Sequence, residues 1–282
     1  MDGVIRHESE HGAWELLRAR PAPPLRAYVR RYEGYRERGG AFAPRLEVPS
    51  RDVALILNFG PPFRVRGPGM AAEIAYDSFV AGLHAAPAFV AATGPSYCLQ
   101  VDLTPLGARR LLGQSLDALA DRTVPLDAIV GVAAERLVAR LYDAPDWPAR
   151  FALLDRLLLA RLGATDAPDA QLVWIWAQLH TSGGQIAVGA LADEVGWHPR
   201  TLIAQCRAGF GLPPKTLARV LRFDRVVRVL ARADTPPDWV ALARASGYYD
   251  QAHLHRDFRQ FAGAPPGEFL RRMLPVGGGV LG

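Results

Sequence analysis

The chain has 282 residues, 50% of them hydrophobic and 22% charged, with a formal net charge of +5 at pH 7. That length accommodates two ordinary domains, and the composition excludes a disordered or low-complexity chain. No apolar run approaches the ~18 residues that span a bilayer, and two cysteines, Cys98 and Cys206, are too few and too distant for a disulfide framework.

A reducing cytoplasm is therefore the expected location. The opening MDGVIRHESEHGAWELL lacks the basic start and apolar run of a secretory signal. The charge is unevenly placed. Residues 1–180 hold 20 basic and 20 acidic side chains, whereas residues 181–282 hold 13 and 8, so the whole excess lies in the last 102 residues. A basic region beside a neutral one suits a polyanion partner, although a solvated arginine surface gives the same count. Arginine outnumbers lysine 32 to 1.

Near the start, HESEH (7–11) fits the His-Glu-x-x-His pattern of zinc-protease helices. It stands in a polar stretch with no further ligand in view, and reads as a solvated tail. Residues 25–105 read as short strands and turns. DVALILNFG (52–60), FRVRG (63–67), SFVAGLH (78–84) and YCLQVDLTP (97–105) carry β-branched or aromatic residues between Gly and Pro punctuation, the pattern of a sandwich or barrel. His84, Asn58, Arg51 and Tyr97 are polar residues of this region that read as ordinary surface or turn positions.

Helical spacing begins after Pro105. LGARRLLG is short; 132–144 and 148–164 are longer, the latter with Phe151, Leu154, Leu157, Leu158 and Leu162 on one stripe that serves either a core or a dimer interface. TDAPDA (165–170) reads as a linker, with Asp169 capping the helix QLVWIWAQLH. Trp174 and Trp176 read as packing residues.

The last hundred residues contain an internal echo. VGALADEVGWHPRTLIAQCRAGFGLPP (188–214) parallels WVALARASGYYDQAHLHRDFRQFAGAPP (239–266): a short Ala/Leu helix, Gly plus an aromatic, a polar turn, then a second helix ending at Gly and Pro-Pro. The offset is about fifty residues with one residue of slack. Such a unit is a helix-turn-helix, with Gly196 and Gly247 suited to positive φ. PKTLARVLRFDRVVRVLARA (214–233) would be a rod of roughly 27 Å between them, so that two second helices could enter successive major grooves.

On the strength of LADEVGWHPRTL, FGLPPKTLARVLRFDRVVRVL and ALARASGYYDQAHLHRDFRQFAGAPPGEF, residues 183–272 resemble the C-terminal DNA-binding domain of AraC/XylS-type transcription regulators. The resemblance implies an α+β protein. A β-rich N-terminal sensing or dimerisation domain (1–165) is followed by an all-α domain (166–282), with two helix-turn-helix units (about 188–211 and 239–263) joined by a linker helix. It implies a sequence-specific regulator that binds double-stranded promoter DNA and responds to a small-molecule effector, as a possible homodimer without membrane or cofactor. Residues implied to meet DNA are Arg200, Thr201, Gln205 and Arg207 in the first unit, and Gln251, His253, His255, Arg256 and Arg259 in the second. Gln251 can bond an adenine edge, Arg256 a guanine or a phosphate, and Arg259 and Arg207 suit the backbone. Asp250 would cap the second recognition helix, and Tyr248, Leu254, Phe258 and Phe261 would be core. Ala204 stands where such domains often carry arginine, and Cys206 where they often carry an aromatic.

Other chemistry finds little support. His253 and His255 are ~200° apart on a helix and cannot share a metal. Cys206 reads as a small core residue rather than a redox-sensing thiol. Ser96 and Ser182 lack a nucleophile elbow, and Gly277-Gly278-Gly279 has no strand before it or helix after it to cradle a phosphate. The alternative readings are an interaction module whose units have lost DNA binding, or an enzyme fused to this domain. DNA-repair methyltransferases that resemble it need more cysteines than two.

Overall fold

The computed structural model describes residues 4–9, 12–38, 44–233 and 235–273. Strands β1 (Val4–Ser9), β2 (Gly12–Ala19) and β3 (Val29–Arg38) open the chain, followed by β4 (Arg45–Glu47), β5 (Val53–Asn58), β6 (Phe63–Arg66), β7 (Ile74–Tyr76), β8 (Phe79–Ala81), β9 (Ala88–Ala92) and β10 (Tyr97–Leu103). After helix α1 (Pro105–Leu112) comes a last short strand, β11 (Thr123–Pro125). They form a seven-stranded antiparallel sheet, order β1-β2-β3-β10-β5-β8-β11, and a four-stranded one, β4-β9-β6-β7. The near-continuous apolar run of β5 follows from burial on both faces. Val53, Leu55 and Leu57 point to the main core, while Ile56 joins Val65, Tyr76, Phe79 and Cys98 in a small core between the sheets.

The composition of the longest strand, β3, does not mark it as a strand. Its VRRYEGYRER sequence is rich in charge because those charges are paired along the sheet. Arg18 meets Glu33 at 2.8 Å, Arg31 meets Asp102 at 2.6 Å, and Arg30 meets Asp52 at 2.7 Å. HESEH also departs from expectation. His7, Glu8 and Ser9 belong to β1, paired with β2, so this part is a strand, neither the solvated tail nor a zinc-binding helix. Glu10 and His11 lie outside the described residues, as do Gly277–Gly279.

Helices α2 (Leu126–Val130), α3 (Ala133–Tyr142) and α4 (Trp147–Gly163) cover the larger sheet. Gly34 makes this docking possible: a Cβ there would lie 2.4 Å from the Trp147 ring. Tyr32 donates a 2.7 Å hydrogen bond to Asp155 and stacks on Phe151. The α4 stripe is thereby core at Phe151 and Leu154, while Leu157, Leu158 and Leu162 pack half-buried against the same cluster. The stretch 165–169 after α4 is non-helical but tied down, since Arg110 donates to the carbonyls of Leu162 and Thr165, both at 3.0 Å.

The remaining helices are α5 (Ala170–Thr181), α6 (Val188–Glu194), α7 (Pro199–Phe210), α8 (Pro214–Leu230), α9 (Trp239–Ala245), α10 (Gln251–Ala262) and α11 (Pro266–Arg272). One apolar cluster runs from Leu17 on the sheet to Phe269 on α11. Trp176 belongs to it, packed on Phe210 with ring centroids 5.7 Å apart, and Trp174 is partly buried against it. No helix among the described residues is long and apolar enough to cross a membrane.

Candidate nucleic-acid interface

Two helix-turn-helix units flank α8. In the first, α6 turns at Gly196 (φ 67°) into α7; in the second, α9 turns at Gly247 (φ 80°) into α10. Only glycine holds such backbone without strain. Both second helices have 12 residues and end on a left-handed glycine, Gly211 and Gly263. Their register is therefore fixed at an offset of 52, while the turn glycines are 51 apart. The extra residue sits in the second turn and is Tyr249, which is 91% exposed. This one-residue insertion is the slack in the sequence echo, and it matches Leu202 to Leu254.

The two helices start differently. The Asp250 carboxylate accepts from the His253 backbone N–H at 2.7 Å, an ordinary N-cap. In α7 the cap is His198, whose Nδ1 accepts from the Arg200 N–H at 3.3 Å, with Pro199 in the first turn. Behind both lies α8. Its Phe223 meets Phe258 and Phe261 edge-on at 5.0 and 5.2 Å, and Arg219 bonds Asp257 at 2.6 Å and Gln260 at 2.6 Å. Tyr248, Leu254, Phe258 and Phe261 are buried, as the sequence implies. Cys206, the register mate of Phe258, is fully buried, and burial pushes its thiol up to about 12, so it is an inert core residue.

The outward faces follow from the same register. On α7, Arg200, Ile203, Ala204 and Arg207 are exposed and form one diamond at i, i+3, i+4, i+7. Thr201 and Gln205 are exposed on an adjoining stripe, so the four candidates of this helix do not share one face. The equivalent diamond on α10 is Ala252, His255, Arg256 and Arg259, all exposed except the half-buried His255. Gln251 and His255 are also half-buried and lie 3.3 Å apart through Nε2 and Nε2. His253 is half-buried, and its ring packs edge-on against Tyr248 at 5.1 Å, at the flank of the helix. Ile203 (40% exposed) and Tyr249 (91% exposed) carry no DNA-binding signal as isolated apolar letters in the sequence. Only the register puts Ile203 between two arginines.

The helical region also meets the β-rich one. Arg51, expected to be an ordinary turn residue, instead donates to His180 Nε2 at 3.0 Å and lies 3.7 Å from Asp224 on α8. Since a guanidinium can only donate, His180 accepts and is neutral. Burial, reinforced by Arg51 and then Arg30 and Arg228, holds its pKa down to about 4. Burial raises Asp52, beside Arg30, to about 6. Next to this junction a cleft of about 540 Å³ is lined by His180, Thr181, Gly183, Arg225, Arg228 and Arg232 among others. Of these cations, Arg228 is paired with Asp224 at 2.9 Å. Asn58 is spent on its own turn, bonding the carbonyls of Gly60 and Pro61. No group of three metal-ligating side chains occurs among the described residues.

Helix pairs with positive-φ turns, joined by a rod and fronted by arginine, define a DNA-binding transcription regulator. Residues 191–272 match the family described as a helix-turn-helix domain, and residues 17–125 match a domain of unknown function, DUF6597. The C-terminal region is of the AraC/XylS helix-turn-helix type. Among solved structures, the chain is similar to an apo ToxT variant from Vibrio cholerae at 11% identity, covering 94% of this chain and 99% of that one, with a TM-score of 0.48. It is also similar to ToxT from the same organism at 8% identity, 93% and 98% coverage and TM-score 0.47. A third likeness is to wild-type ToxT bound to an unsaturated fatty acid, at 9% identity, 94% and 97% coverage and TM-score 0.46. No curated protein matches the chain.

Proposed function

We propose that the chain divides at residues 165/166 and that α7 and α10 enter successive major grooves of promoter DNA. In this reading Arg256 reads a guanine, Arg200 a base in the other half-site, and Arg207 and Arg259 grip phosphates. Gln251 and His255 act together at the start of α10, Thr201 and Gln205 reach the backbone beside α7, and His253 has a packing role. The observation that carries the proposal is the common register: two 12-residue helices, 52 residues apart, each turn an arginine-bearing face outward. A rod of 17 residues, α8, lies between them and spans about 25 Å at ~1.5 Å per residue.

The protein is a cytoplasmic regulator rather than an enzyme in this reading, and it acts as a homodimer. Its effector is a small anion-bearing molecule held in the cleft beside α8. Arg225 and Arg232 face that cleft, and an effector there would bear on the helix that links both units. The test is selection of bound fragments from randomised DNA by the full-length protein at two salt concentrations. An enriched motif that survives higher salt is expected. Weak binding without enrichment, falling steeply with salt, would instead favour a degenerate interaction module.

A further inference from the structure

We infer that the first helix-turn-helix unit reads thymine through its 5-methyl group, with Ile203 as the specificity-determining side chain. This rests on the reading of α7 as a recognition helix. Position by position, the α7 diamond Arg200, Ile203, Ala204, Arg207 replaces the α10 diamond Ala252, His255, Arg256, Arg259. The last position is arginine in both. The two central positions differ in kind: His255 and Arg256 in α10, Ile203 and Ala204 in α7.

A side chain at the centre of a groove-facing helix meets base edges, and those edges carry hydrogen-bonding groups at every base pair. The one apolar group they present is the thymine methyl. Ile203 has no donor or acceptor, so a base whose edge offers only polar groups would be desolvated against it without compensation. A thymine instead buries its methyl on the isoleucine. Ala204 beside it is too short to contact a base polar group and keeps the backbone close to the groove. Isolated exposed apolar residues are common on protein surfaces. This one lies between two arginines at i−3 and i+4, the position the second unit fills with a histidine. The operator is thus expected to be asymmetric. A half-site with one or two thymines beside the base met by Arg200 lies next to a half-site with the guanine met by Arg256.

The experiment starts from a selected operator. The half-site bound by the second unit is the one whose base preference is blunted in Arg256→Ala, and the other belongs to α7. Each thymine of that other half is then replaced in turn by deoxyuridine, which removes only the methyl, and full-length protein is titrated by fluorescence anisotropy. One or two replacements are expected to weaken binding about four-fold each, the worth of about one buried methylene. Ile203→Ala, at a partly exposed position, is expected to keep its circular dichroism and melting, and to bind thymine and deoxyuridine operators equally. Arg256→Ala is expected to retain the methyl sensitivity. Indifference of the wild type to every deoxyuridine in that half, or an unchanged methyl sensitivity in Ile203→Ala, would overturn the inference while leaving DNA binding standing. Failure of any motif to enrich would overturn both.

Discussion

The two helix-turn-helix units are built alike where they are buried and unlike where they are exposed. Leu202 and Leu254 occupy one buried position, Phe210 and Ala262 another, and Gly211 and Gly263 end both helices. Outside, one helix offers Ile203 and Ala204 where the other offers His255 and Arg256. The caps differ too, His198 against Asp250, and the second turn holds one residue more. A scaffold is fixed by packing, whose cost of change is several kcal/mol. The outward faces carry little of that packing and are free to diverge.

The largest expected effect tests the scaffold. Phe258 is fully buried against Phe223 and Phe269. Phe258→Ala should cost about 3–5 kcal/mol and Cys206→Ala, its counterpart in the first unit, on the order of 1 kcal/mol. Chemical denaturation of both variants checks this; equal losses would mean that the two units do not share a packing scheme. Next comes the reading face. Arg256→Ala should cost about 1–3 kcal/mol on the preferred operator and blunt preference at one base pair. Arg259→Ala should weaken all sequences alike and flatten the salt dependence, as measured by titration on matched and scrambled DNA. If both leave specific binding intact, α10 has been given the wrong role.

Smaller effects separate the caps. Asp250→Ala should cost about 1 kcal/mol, and His198→Ala less, because its 3.3 Å bond is longer and less favourable than the 2.7 Å bond of Asp250. Thermal melts in the two backgrounds order them. The subtlest prediction concerns the junction between the regions. His180 titrates near 4 in the fold against its ordinary 6.5, so the unfolded chain binds the extra proton between those values. Its contribution is full above pH 6.5 and is lost as pH falls toward 4. Asp52, raised to about 6, acts in the opposite sense between its ordinary 3.8 and 6. Wild type should therefore lose more stability between pH 7 and 5 than His180→Gln does, since the variant keeps only the opposing carboxylate. Equal losses would mean that burial and the neighbouring arginines do not hold His180 neutral.

Much of the helical region was legible because its signals are local. Asp169 and Asp250 cap where their letters stand before helical runs, and Gly196 and Gly247 take positive φ where a tight turn demands it. The β-rich region was less legible. The charged β3 hides among turn-like letters because Asp52 in the loop before β5 and Asp102 of β10 neutralise its Arg30 and Arg31, while Arg18 of β2 neutralises its Glu33. The candidate DNA residues divide in the same way. Arginines on the two recognition helices could be named from the repeat, but the flank position of His253 comes from the Tyr248 ring, and the place of Ile203 from the register.

The sequence by itself determined the order of helices, the two repeated units and their buried apolar positions, because period, caps and glycine turns act over a few residues. Tertiary structure alone decided which charges meet across the sheets, that Arg51 reaches His180 and Asp224, and which side chains stand together on each recognition helix. Those outcomes depend on contacts between residues up to 173 apart in the chain, Arg51 to Asp224, and no local pattern carries a contact of that range.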